Sequence, residues 1–198
     1  MKALEILDTV NFPNPSGVAI NMMPFIYGDK NSLPSQYRQY HDLAISCKMK
    51  GEIGKVCYLT VSENWAVAGN SHRRGGIHTE ARPNIRWGGG GWGGTDRSAG
   101  IYIASTVANT TRLWDAKDYD MGEGGSLEHK KEYYPENSIL LNANQLAWMT
   151  DVTPHESVPV KETVFRQFFR LVSSNIGAWF KEKNTFNSLG VMPTAPIY

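Results

Sequence analysis

From Thr163 to Ser173 the chain alternates, with Val164, Arg166, Phe168, Arg170 and Val172 on one face of an extended segment and Phe165, Gln167, Phe169 and Leu171 on the other. The pattern predicts a strand, and two arginines sharing a face with Phe and Val are unusual for a solvent-facing side. β-Forming runs at Lys55–Ser62 and Gly100–Ala108 predict two more strands, and Ser138–Thr150 predicts a strand or a bent strand pair. Ser35–Lys50 differs: Tyr37, Tyr40, Leu43, Ala44 and Cys47 recur at helical spacing between Pro34 and Gly51, which predicts one helix on the outside of a sheet. Prolines and glycines punctuate the first thirty-odd residues, which read as short extended pieces forming an edge or a flap. Met121–Tyr134 reads as a loop with one helical turn, and a segment at Ile176–Phe180 precedes a proline-containing tail.

One helix followed by many short strands points to a mainly β fold, a sandwich or barrel. At 198 residues the chain suits one domain. Its expected parts are a flap and helix over 1–52, a β core over 53–182 and a tail over 183–198.

Charge narrows the partners. A net charge of +1, with basic residues only in pairs such as Arg73-Arg74 and Lys130-Lys131, gives no nucleic-acid signal. No apolar run reaches the roughly 20 residues that span a bilayer, and the acidic N-terminus lacks a signal-peptide core. The expectation is a soluble, cytoplasmic protein. Cys47 and Cys57 fit two free thiols of a reducing compartment, with a single disulfide between them as the alternative.

The chemistry centres on Gly75-Gly76-Ile77-His78-Thr79-Glu80. On a strand, residues i and i+2 share a face, so His78 and Glu80 can reach one cavity and one metal ion. A third ligand is offered by His155, in Asp151-Val152-Thr153-Pro154-His155-Glu156-Ser157, and Arg166 follows it in the alternating strand. An inward arginine there requires an anion, because an uncompensated buried charge is costly.

His78-Thr79-Glu80, a distant His155 and a basic residue about ten positions beyond it resemble the iron(II)/2-oxoglutarate-dependent oxygenases, over roughly Lys55–Ser174. The resemblance implies a jelly roll, or double-stranded β-helix, of the cupin kind. It implies Fe(II) held by His78, Glu80 and His155, with 2-oxoglutarate held by Arg166, or by Arg170 in reserve. It also implies oxidative decarboxylation coupled to hydroxylation of a small-molecule or peptide substrate. Glu80 departs from the pattern, standing where most members carry Asp.

Strand parity adds Arg74, or His72, as residues near the substrate, against a reading of the arginine pair as a solvated edge. Six of the seven residues from Gly88 to Gly94 are glycine, the other being Trp92; this stretch is a lid over the substrate or a plain surface loop. Trp65, Trp87 and Trp92 offer stacking surfaces, while Trp148 and Trp179 read as core. Two other functions fit the pattern: a cupin-like zinc or manganese isomerase or hydrolase at the same ligands, and a non-catalytic β-sandwich binding module with structural histidines.

Overall fold

The computed structural model describes residues 2–85, 99–134 and 137–198. Strands β1 (Leu4–Thr9), β2 (Ala19–Ile26), β3 (Val56–Ala66), β4 (Ile101–Ser105), β7 (Gln145–Met149) and β9 (Val164–Val172) form a six-stranded sheet in the order β1-β7-β4-β9-β3-β2. Strands β5 (Thr111–Leu113), β6 (Ile139–Leu140) and β8 (His155–Ser157) form a smaller sheet, β6-β5-β8. Every pairing between strands is antiparallel. An isolated bridge between His78 and His155 extends the small sheet past β8. From β3 onward the chain therefore passes between the sheets as large, small, large, small, small, large, small, large. That winding is a jelly roll, and the fold is mainly β as the sequence predicts.

β9 pairs with β3 on one side and β4 on the other, and its two faces are buried in two separate cores, which is why its alternation sorts side chains between them. Phe169 and Leu171 join a core with Phe25, Leu59, Tyr102 and Trp148, roofed by Tyr40, Leu43, Ala44 and Cys47. Phe168 and Val172 join a second core that faces Leu113 of the small sheet.

The predicted helix is broken in two: a 3-10 stretch at Ser35–Tyr40 runs into a short α-helix, α1 (His41–Ser46). Its apolar face is nonetheless the expected one. Left-handed backbone at Lys48 (φ 52°) stops it short of Lys50. The N-terminal pieces take the edge alternative: β1 and β2 close the two ends of the large sheet. Trp148 and Trp179 are buried, Trp65 is exposed, and both cysteines are free and buried. Among the described residues no helix is long and apolar enough to cross a membrane.

Candidate functional site

His78 and His155 donate their backbone N–H groups to each other's carbonyls, at 3.0 and 2.9 Å. Residues directly opposed in an antiparallel pair project to the same side, and the two imidazole rings lie with centroids 4.4 Å apart. Each ring is also turned the same way. Nδ1 of His78 donates to the Gly76 carbonyl at 2.7 Å, and Nδ1 of His155 donates to the Thr153 carbonyl at 2.9 Å. With Nδ1 carrying the proton, the lone pair of the neutral His78 ring is on Nε2, and the His155 ring is turned the same way. Burial, with His155 alongside, pushes the His78 imidazole down to about 3, so it stays neutral.

The turn that delivers His78 depends on glycine. Gly76 has φ 75°, and a Cβ there would come within 2.6 Å of Glu128 Oε1. That same oxygen accepts the Ile77 N–H at 2.7 Å, so Glu128 and Gly76 together set the approach to His78.

Glu80 joins the pair. Its Oε1 lies 3.7 Å from His155 Nε2 and accepts a hydrogen bond from Arg170 Nη1. Burial alone would raise this carboxyl, but the Arg170 guanidinium, aided by both imidazoles, holds it well below the usual carboxylate range. No three His, Cys, Asp or Glu side chains among the described residues stand ready-grouped around one ion. Glu80 Oε1 is engaged by Arg170, and Oε2 has no protein partner among the described residues.

These side chains open on a cavity of about 200 Å³ that is also lined by Arg73, Arg74, Arg166 and Phe168. Arg166 is fully buried. Its Nε donates to Ser105 Oγ at 2.8 Å and its Nη2 to Thr111 Oγ1 at 3.4 Å, while Nη1 has no hydrogen-bond partner among the described residues. Burial and the charge of Arg73 lower the Arg166 guanidinium to about 10, which leaves it charged near neutrality. Arg170, besides holding Glu80, reaches Asn21 Oδ1 at 3.4 Å and Thr60 Oγ1 at 3.5 Å.

The structure thus brings His78, Glu80, His155, Arg166, Arg170 and Arg74 to one cavity. His72 is elsewhere, facing Ser62 Oγ at 3.3 Å. Trp92 and the Gly88–Gly94 run lie outside the described residues. Sequence reasoning missed Arg73, which it grouped with Arg74 or set on a solvated edge, and also Ser105 and Thr111. Strand parity assigned the cavity to Arg74 or His72; Arg74 lines it, and Arg73 does too, because the left-handed Gly76 interrupts the extended run.

No family model matches the sequence, and no curated protein does. Among solved structures, the non-heme monooxygenase ThoJ in its apo form is similar at 13% identity and a TM-score of 0.39, over 72% of this chain and 56% of that one. Its nickel complex is similar at 14% identity and 0.38, over 72% and 55%. CytC3 with Fe(II) and alpha-ketoglutarate is similar at 12% identity and 0.30, over 80% and 75%. The chain therefore spans little more than half the length of the ThoJ chains. At these scores the superpositions are partial.

Proposed function

We propose that the protein is a non-haem Fe(II)- and 2-oxoglutarate-dependent oxygenase. One observation carries the reading: two imidazoles with Nδ1 pinned to backbone carbonyls and a carboxylate beside them share a cavity with a buried arginine that has an N–H unused among the described residues. Carbonyls that fix the outer nitrogen of a histidine are the usual support of a metal-ligating ring. Two imidazoles and one carboxylate suit Fe(II), because such a face leaves coordination positions open. His78, His155 and Glu80 would hold the ion, Glu80 through the oxygen that Arg170 does not use.

Bound there, Fe(II) and 2-oxoglutarate supply oxidation of a substrate C–H bond with dioxygen. The chain's own part is to bind and orient. Arg166 Nη1 would take the far carboxylate of the co-substrate, with Ser105 and Thr111 fixing the guanidinium so that little freedom is lost on binding. Arg170 keeps Glu80 ionised, so no proton must leave before a cation binds.

The test is calorimetric titration of anaerobic protein with Mn(II), then with N-oxalylglycine, followed by assay of Fe(II)-dependent succinate release. The expected result is a metal site lost in both His78→Ala and His155→Ala, and analogue binding lost in Arg166→Gln while metal binding persists. Full metal affinity in both histidine variants sinks the assignment.

A further inference from the structure

Arg73 is the residue that this reading leaves without employment. Its side chain is half-buried at the cavity, and its guanidinium carbon lies 5.2 Å from the Phe168 ring centroid. The Arg166 guanidinium carbon stands 5.1 Å from the same ring centroid, so two cations lie against one phenyl group. Arg73 makes no hydrogen bond to protein among the described residues. The acidic side chains at the cavity are already engaged: Glu80 holds Arg170, and Glu156 holds Arg112 at 2.7 Å. Arg74, at the exposed margin, gives its Nη1 to the Gly124 carbonyl at 2.7 Å.

The charges do not balance even with the proposed occupants in place. A divalent ion and a dianionic co-substrate cancel each other, which returns the cavity to Arg73, Arg74, Arg166 and Arg170 against Glu80, with Glu156 paired to Arg112. Clustered guanidiniums repel one another and an anion among them relieves that repulsion, and the planar fork of an arginine matches a carboxylate or phosphate.

We propose that Arg73 is a second anion-binding residue and that the primary substrate is a small acid, with a carboxylate or phosphate ester seated on Arg73 beside Phe168. The substrate assignment rests on the oxygenase reading; the anion site itself does not. A cavity of about 200 Å³ limits the bound part to metabolite size, since drug-sized ligands fill roughly 300–1,000 Å³.

The test uses acetate and inorganic phosphate as probes. Wild-type protein saturated with Mn(II) and N-oxalylglycine is melted in each anion against chloride at matched ionic strength, with neutral acetamide as the shape control. The expected result is stabilisation by acetate or phosphate, none by acetamide, and an apparent affinity weakened about tenfold or more in Arg73→Gln, the loss of a charge-assisted pair. Tighter phosphate binding assigns a phosphate ester; tighter acetate binding assigns a carboxylate. An Arg73→Gln response equal to wild type overturns the proposal, as does a wild type indifferent to both anions. If Arg73→Gln fails to fold, Arg73→Met replaces it: weakened anion binding supports the site, and undiminished binding overturns it. The two readings fail separately. If N-oxalylglycine does not bind, the same titration on metal-free protein still reports on Arg73, and an Arg73-dependent anion response then keeps the site while the oxygenase reading falls.

Discussion

Glu80 can serve two cations because its carboxylate has two oxygens, one on Arg170 and the other without a protein partner among the described residues. The longer glutamate side chain thus spans between the histidine pair and a guanidinium on β9, and the metal would be added to this ion pair instead of replacing it. The consequence is measurable by removing Arg170. Arg170→Met strands a buried carboxylate, a change that costs about 3–5 kcal/mol for a broken buried pair. Metal-free protein should lose that stability in urea melts. Saturating Mn(II) should restore more stability to the variant than it adds to wild type, because the ion supplies the missing positive charge. An equal increment in both proteins would mean that Glu80 does not ligate.

At the scale of elements, Glu63 on β3 shows how polar residues lock the N-terminal segment and the helical roof to the large sheet. Its Oε2 accepts the Ser16 and Val18 N–H groups at 2.7 and 2.8 Å, and its Oε1 accepts from the Tyr40 hydroxyl and from Gln167 Nε2 at 3.3 Å. Every partner is a donor, so the site requires a carboxylate; an amide would turn its own donors on some of them. Glu63→Gln should cost about 1–3 kcal/mol at pH 7, the price of buried groups left unsatisfied. Burial pushes this carboxyl up, but the Tyr40 hydroxyl and the two backbone amides pull it further down, below its usual value. Its contribution is therefore present above the unfolded carboxyl value of about 4.3 and is lost as pH falls through the lower folded one. Across that window the variant's stability should fall less steeply than wild type in acid urea titrations. None of this network was legible in sequence, since Glu63 looks like the polar end of a strand. The long elements were legible: β9 alternates over nine residues, and the two arginines that share its face with Phe and Val are buried as that pattern implied. β5 and β6, three and two residues long, are too short to show a period. The histidine pair was readable as residue types, but its mutual pairing was not, because His78 sits in an isolated bridge instead of a strand.

Over the whole molecule the two sheets differ in how firmly they are built. The large sheet pairs β9 over nine positions with β3, and five more with β4, between two apolar cores. The small sheet is held by pairings of two and three residues and by the His78–His155 bridge. Native-state hydrogen exchange should therefore separate them: amides in β3, β4 and β9 should open only with global unfolding, and those of the small sheet through local opening of lower free energy. The proposed metal would join both imidazoles across that weak bridge. It should slow exchange at the His78 and His155 amides, which donate to each other's carbonyls, more than at Arg112, the β5 residue paired with Glu156. Little protection should be added at β9, whose opening is already global. Mass spectrometry with and without Mn(II) resolves this, because peptides covering 76–81 and 152–158 report on the bridge. Protection that spreads evenly over both sheets would indicate general stabilisation by an ion bound elsewhere, whereas protection confined to those two peptides places the ion between the histidines.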